Sequence, residues 1–475
     1  MTGQATVPAR PADYVTATFG VTSRHRHSPV GLAFDDLVQL ALRRNPRRAQ
    51  LLVSTVLGKH LPADPLLIAG LGRLLGALVR LRLDAGPDGP AASPPPFWSV
   101  ATRAAVDGRP GAAESLCALL LAQAPPAGDP PDPAGLLTLG FAETATSLGH
   151  LVADQLGSPY LHSTRRTVGD VPVAAEFSEP HSHATGHLLR PADPDLLVGS
   201  GPLVLVDDEL STGRTALNVI EALHARHPRP WYLLAGLVDV RTPESDGMRT
   251  ATAARLGCRI DVVALCSGSV EVPDGTVERV ARTLPATSPA SAPASGPGSV
   301  HALTATWPAG VPTGGRHGFG PSDVLAFDAA VRRVATDVRS ALEELAPVAG
   351  RDGSRVLVVG TEELMYLPLR VAMDLAGLGL PVRYQSTTRS PVHVLDDPGY
   401  PIRRRVDHRR PADDGTGGDV DRLVYNVDFD GGEADVLVVV DDGQESSGPD
   451  GVAAALARAT GRPVLAVTVP AGEQR

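Results

Sequence analysis

The stretch LVLVDDELSTGRTALN, Leu203 to Asn218, decides how this chain is read. Four apolar residues describe a buried strand, and the strand ends on two adjacent carboxylates, Asp207 and Asp208. The following turn, Glu209-Leu210-Ser211-Thr212-Gly213-Arg214-Thr215, supplies hydroxyls and small residues at the start of a helix. Free backbone N–H groups and the helix dipole favour an anion there, so the turn reads as a phosphate cradle. Gly213 allows close backbone approach. The carboxylates repel phosphate and must face donors such as sugar hydroxyls, or a cation. A phosphate beside a polyol, with a divalent ion nearby, describes a ribose 5-phosphate. The competing reading is an ordinary strand-to-helix turn whose aspartates cap the helix. No G-x-x-x-x-G-K-[ST] stretch occurs, which excludes a Walker loop.

Outward from this stretch, short apolar runs alternate with helical patterns. LLTLG (Leu136–Gly140) reads as a buried strand, and Glu143–Gly157 as a helix stopped by glycine. YLHSTRR and WYLLAGLVDV add two further strands. This alternation predicts an α/β fold with a parallel sheet and ligands at the carboxyl ends of its strands. The second half repeats the pattern: VLVVGTEEL resembles LLTLGFAET, YQSTTRSP resembles YLHSTRR, and VLVVVDDGQESSG resembles LVLVDDELSTG. Three coincidences in the same order predict a duplicated half-fold. The Pro-, Ala-, Ser- and Gly-rich stretch Thr283–Ser299 reads as a linker. The expected division is therefore 1–282, a linker over 283–300, and 301–475. The N-terminal region is expected to be mainly helical, with Phe34–Pro62 forming two helices separated by Pro46.

The 475 residues exceed one ordinary core, and the net charge of −10 argues against a general nucleic-acid scaffold. Cys117, Cys258 and Cys266 are scattered and suit a reducing compartment. Leu66–Leu83 is interrupted by Arg73, Arg80 and Arg82, so it reads as a core helix, not a membrane span. With no secretion-signal pattern at the N-terminus, a cytoplasmic location is expected.

The strand, acid pair and Thr-Gly-x-Thr turn resemble the 5-phosphoribosyl-1-pyrophosphate (PRPP) motif of the phosphoribosyltransferases. That resemblance implies that Asp207 and Asp208 bind the ribose hydroxyls and that Glu209, Ser211, Thr212, Gly213, Arg214 and Thr215 hold the 5-phosphate. It places a pyrophosphate loop at Gly140, Phe141, Ala142, Glu143 and Thr144. Arg165 and Arg166 are further pyrophosphate candidates, because a guanidinium matches phosphate in bidentate geometry. His181, His183 and His187 lie where phosphoribosyltransferases carry a hood loop that closes over substrate. His183 is the candidate acid–base there, with a zinc site or a plain polar loop as alternatives.

Taken with Gly58-Lys59-His60, His181–Thr185, Gly314-Gly315-Arg316-His317-Gly318 and Thr388-Arg389-Ser390-Pro391, the chain resembles a particular family. It is similar to the orotate-phosphoribosyltransferase-like proteins whose C-terminal domain is named for its Thr-Arg-Ser-Pro signature, typically encoded in bacterial tellurium-resistance and stress-associated clusters. The resemblance implies a type I phosphoribosyltransferase-like sheet with a flexible hood and a degenerate second α/β domain. It further implies a Mg²⁺-assisted transfer from PRPP to a base-like acceptor in making a nucleoside-like metabolite. Lys59 joins the pyrophosphate set, and Asp207 and Asp208 would serve Mg²⁺ through ribose and pyrophosphate. Glu362, Glu363, Thr388, Arg389 and Ser390 are the candidate ligands of the second half. Its acid pair, Asp441-Asp442, is followed by Gly443-Gln444-Glu445-Ser446-Ser447-Gly448, which lacks the phosphate turn. The expected partners are PRPP and an acceptor, with no nucleic acid or membrane, and a possible homodimer. A PRPP-binding regulator or a non-catalytic scaffold is the alternative.

Overall fold

The computed structural model describes residues 13–43, 45, 48–126, 135–166, 171–177, 186–285, 298–349, 354–412, 418–429, 432–443 and 448–470. The first half places strands β1 (Thr22–His27), β2 (Val38–Leu42), β3 (Gln50–Ser54), β4 (Leu137–Gly140), β5 (Tyr160–His162), β6 (Ala175–Phe177), β7 (His187–Leu189), β8 (Leu203–Leu210), β9 (Trp231–Asp239) and β10 (Arg259–Glu271). Six of them form one sheet in the order β1-β10-β9-β8-β4-β5, parallel throughout except for β1. The central strands are apolar along nearly their whole length because helices cover both faces. One helix over Thr146–Leu156 ends on Gly157 in the left-handed conformation, as its sequence predicts.

The second half contributes β11 (Val300–Thr304), β12 (Val356–Gly360), β13 (Val382–Ser386), β14 (Arg405–Pro411), β15 (Asp419–Tyr425), β16 (Asp428–Phe429), β17 (Gly432–Glu433), β18 (Val436–Asp441) and β19 (Val464–Thr468). Its main sheet is parallel in the order β11-β19-β18-β12-β13. The order β5-β4-β8-β9 in the first half is thus matched by β13-β12-β18-β19 in the second. The register agrees as well: Gly140 pairs with Val206 and His162, and Gly360 pairs with Val440 and Ser386. Asp207-Asp208 and Asp441-Asp442 therefore follow equivalent positions, as do Ser163-Thr164-Arg165 and Thr387-Thr388-Arg389. The repeat departs at the far edge, where the second half uses β11, which precedes β12 in the chain.

Each half also sends a basic loop onto the other. The backbones of Tyr384 and Ala63 exchange hydrogen bonds at 2.9 and 3.0 Å, and those of Tyr160 and Phe319 do so at 2.8 and 2.9 Å. Tyr160 and Tyr384 occupy equivalent positions on β5 and β13. Gly58 lies against the Tyr384 ring and Gly315 against the Tyr160 ring. A Cβ would fall 2.6 and 2.3 Å from the respective ring carbons, so both approaches need glycine. One apolar core combines Ile68, Leu151 and Tyr160 with Val358, Leu367 and Tyr384.

The N-terminal region differs from its sequence reading. Phe34–Pro62 is not a pair of helices: among its described residues only Phe34–Leu37 is helical, and β2 and β3 form an antiparallel hairpin. Its apolar runs VQLAL and QLLVS are short enough to suit either state. Packing against the second half decides between them, because the Leu42 N–H donates to Tyr400 Oη at 2.9 Å and Arg43 bridges Val392. Helices resume at Pro65–Asp84, Pro96–Val106 and Ala112–Leu121. Among the described residues no helix is long and apolar enough to cross a membrane.

Candidate active site

The apolar part of β8 is buried, whereas Asp207, Asp208 and Glu209 at its carboxyl end are half-buried. Asp208 N–H donates to Asp207 Oδ1 at 2.9 Å, and Glu209 pairs with Arg48 at 2.6 Å. Neither aspartate caps the helix Arg214–His224. Its N-cap is Gly213, at φ 68°, which has no side chain to cap the helix. Thr212 Oγ1 accepts from Arg214 N–H at 3.4 Å within this turn.

These carboxylates open into a cavity of about 680 Å³. Of the residues expected at the site, Lys59, Phe141, Ala142, Glu143, Thr144, Arg165, Asp207, Asp208, Glu209 and Ser211 line it. So do Thr388, Arg389 and Ser390, the candidate ligands of the second half; the two halves build one cavity. Gly140, Thr212, Gly213, Arg214 and Thr215 lie outside its lining. His181 and His183 fall outside the described residues, so the hood histidine has no placement.

The basic groups are held by specific contacts. Lys59 Nζ donates to Thr144 Oγ1 at 2.5 Å. Arg165 Nη2 donates to His187 Nε2 at 2.9 Å. An arginine can only donate, so His187 carries its proton on Nδ1 and passes it to Ser163 Oγ at 2.9 Å. Ser163 Oγ also accepts from Ala142 N–H at 3.0 Å, which ties the first strand–helix turn to this chain. The peptide between Ala142 and Glu143 is cis. His187 thus aims an arginine, and no group of three or more His, Cys, Asp or Glu among the described residues suits a metal ion.

Arg389 forms an ion pair with Glu143 and lies 3.6 Å from Glu362. Burial pushes the Glu143 carboxyl up, and the neighbouring Glu362 carboxylate adds to this, while Arg389 opposes it. For Glu362 burial acts in the same sense, but Arg389, Arg410, Arg422 and Arg166 together hold it below the ordinary carboxylate range.

Arg166 corrects the sequence reading. It is 3% exposed, away from the cavity lining, and pairs with Asp442 at 3.0 Å and Glu362 at 3.8 Å. Both follow β5 in a connecting segment, where Arg165 is drawn to His187 and Arg166 to Asp442. Glu362 and Glu363 are equally interior. Glu363 accepts from Thr164 Oγ1 at 2.7 Å and from Arg165 N–H at 2.8 Å, and these contacts join the halves. Sequence reasoning missed Arg43, Arg48 and His60, which all line the cavity. The first two lay in a run read as helical. His60 sat beside Lys59 in a quoted signature and is buried; desolvation, with Lys59 and Arg43 nearby, holds it neutral.

Residues 37–269 match the family model of a phosphoribosyl transferase. Residues 313–456 match the TRSP domain that lies C-terminal to this phosphoribosyl transferase. The phosphoribosyl transferase match contains both the acid pair and the pyrophosphate-loop candidates. Adenine phosphoribosyl transferase from Trypanosoma brucei, solved with AMP, pyrophosphate and ribose-5-phosphate, is 13% identical over 34% of this chain and 68% of its own, with a TM-score of 0.23. The Giardia lamblia enzyme with 9-deazaadenine is 22% identical over 28% and 70%, at 0.21. Orotate phosphoribosyltransferase from Aeropyrum pernix is 20% identical over 35% and 76%, at 0.18. No curated protein matches the chain at a significant level.

Proposed function

We propose that this cavity transfers the 5-phosphoribosyl group from PRPP to a nitrogenous, base-like acceptor with release of pyrophosphate. The observation that carries the reading is the single cavity itself. It is lined by the half-buried pair Asp207-Asp208 together with Lys59, Arg165 and Arg389, and by Ser211, which leads from its wall into the turn before the helix at Arg214. The bond from the ribose anomeric carbon to pyrophosphate breaks, and an acceptor nitrogen forms the new bond to that carbon and gives up its proton. The transition state gathers positive charge on the sugar and negative charge on the leaving group.

Each side chain then has a task. Asp207 and Asp208 accept from the ribose hydroxyls and favour the developing positive charge. Ser211 to Thr215 and the helix N-terminus take the 5-phosphate. Lys59, Arg165 and Arg389, with the Phe141–Thr144 backbone, neutralise the pyrophosphate. Asp207 and Asp208 also suit Mg²⁺, which commonly takes one or two carboxylates and completes its shell with substrate phosphates and water. When bound, Mg²⁺ would neutralise pyrophosphate charge. The division at 1–282, 283–300 and 301–475 belongs to this proposal, with the second part supplying Arg389 to the site of the first. The resemblance adds a biosynthetic step in tellurium-resistance and stress-associated clusters.

The test is pyrophosphate release from PRPP and Mg²⁺ across a panel of purine, pyrimidine and small heterocyclic acceptors. Acceptor-dependent release that disappears in Asp207→Asn/Asp208→Asn supports the reading. PRPP binding without turnover on any acceptor would favour a PRPP-binding regulator instead.

A further inference from the structure

A second cavity, of about 530 Å³, lies where the duplicated half-fold would place its own ligand, at the carboxyl ends of β12 and β18. No residue lines both cavities. At one end stand Asp442, Glu363 and Arg316, the counterparts of Asp208, Glu143 and Lys59 in the first half. The charges there are already matched: Arg316 lies 3.3 Å from Glu363 and 3.5 Å from Asp442, and Arg166 lies 3.0 Å from Asp442. An anionic ligand would have to break these pairs, so the site favours a neutral one.

The other end is aromatic and carries unused hydrogen-bonding capacity. His150 is 1% exposed and lines the cavity, stacked 4.0 Å from the Tyr366 ring and edge-on to Phe319. Neither of its ring nitrogens has a hydrogen-bond partner among the described residues, nor does Oδ1 of buried Asp442. His162, also lining the cavity, donates from Nδ1 to Ser163 O at 3.0 Å, which leaves Nε2 as an acceptor. Burial keeps both histidines neutral, so His150 offers one donor and one acceptor. Two residues lining this one cavity, His150 and Asp442, thus carry buried polar atoms without partners, beside the free Nε2 of His162.

We infer that this second cavity binds a neutral, planar nitrogen heterocycle, as the free base or as its ribonucleoside. The ring lies between Leu196 and Phe319, and its nitrogens meet His150 and His162. In the nucleoside, ribose hydroxyls donate to Asp442. Glu363, on its wall, accepts the backbone N–H of Arg165, which lines the first cavity, so this contact separates the two.

The inference stands apart from the phosphoribosyl transfer reading, so its test uses the Asp207→Asn/Asp208→Asn protein, which loses the ribose contacts of the first site, and only binding that a change in the second cavity weakens is assigned to that cavity. Adenine, adenosine, uracil, uridine and AMP are titrated by calorimetry to about 1 mM. Saturable 1:1 binding of a base or nucleoside is expected, about tenfold weaker in His150→Phe, which keeps the aromatic packing and loses the hydrogen bonds. Ser322→Trp, at an exposed position on the cavity mouth, serves as an independent block if His150→Phe does not fold. A base that binds as well as its nucleoside assigns the site to the ring alone; a tighter nucleoside adds the ribose contact. No binding by any probe, binding unchanged in both variants, or AMP binding more tightly than adenosine would overturn the inference.

Discussion

Arg389 of the second half pairs with Glu143 of the first, and the counterpart of this contact runs the other way, from Arg165 N–H to Glu363 at 2.8 Å. Glu143 and Glu363 hold equivalent register positions, as do Arg165 and Arg389. The second half thus stands to the first as one subunit stands to another in a two-fold dimer, within one chain. The two resulting sites differ in how far their acid pairs are buried. Asp207 and Asp208 are half-buried at a cavity wall, whereas Asp441 and Asp442 are 8% and 4% exposed.

If Arg389 neutralises the leaving pyrophosphate, Arg389→Ala lowers kcat/KM for PRPP by about 10²-fold, the usual loss on removing one charge-stabilising donor. Arg389→Lys, which keeps the charge and loses the fork geometry, recovers part of it. Steady-state kinetics at varied PRPP check this. A purely structural role would lower stability in both variants and leave KM unchanged.

The two acid pairs predict opposite phenotypes. Asp442→Asn removes the nearer of two carboxylates beside Arg166, a guanidinium that is 3% exposed and also lies 3.8 Å from Glu362, and should cost about 1–3 kcal/mol in urea unfolding. Asp208→Asn, on the open pair, should cost under about 1 kcal/mol and abolish PRPP binding.

Much of this was legible in the sequence, for a physical reason. Parallel strands buried on both faces must be apolar throughout, so LVLV and VLVVV announce themselves, and a carboxylate pair ending such a run needs an outside partner. The repeat was legible because the same constraint acts twice. The hairpin of β2 and β3 was not, because five-residue apolar runs fit a helix equally well and only Tyr400 and Val392, some 350 residues away, decide between them. The opposite fates of Arg165 and Arg166 were hidden likewise: His187 holds one and Asp442 the other, and neither partner is near them in the chain.

Acid should weaken the fold in a defined window. Burial holds His162 and His408 down to about 4 against an ordinary 6.5. The unfolded chain therefore binds more protons as pH falls from 6.5 to 4, and stability drops across that range. Burial opposes ionisation of Glu363, yet Arg316 and Arg166 hold it down to about 2, so its share is lost between 4.5 and 2. Melting temperature measured from pH 8 to 3 should be flat above 7 and fall below 6.5 by the histidines' share, offset in part at lower pH where buried Glu143 and Asp154 take up protons in the fold. A fold that gains stability on acidification through pH 6.5 to 4 would contradict these assignments.

The exchange of basic loops rests on two glycines. Gly315→Ala would place a Cβ 2.3 Å from the Tyr160 ring and should destabilise the protein by about 1–3 kcal/mol in denaturant titration. An alanine tolerated at both Gly58 and Gly315 would mean that the loops do not pack as described.

The central claim is that the cavity at Asp207 and Asp208 binds PRPP with help from the second half. Calorimetric titration of PRPP with Mg²⁺ into the full chain, Asp207→Asn/Asp208→Asn and Arg389→Ala tests it most directly. The account predicts one PRPP per chain, no binding in the double variant, and binding weakened about tenfold or more in Arg389→Ala. Undiminished binding in the double variant would contradict it.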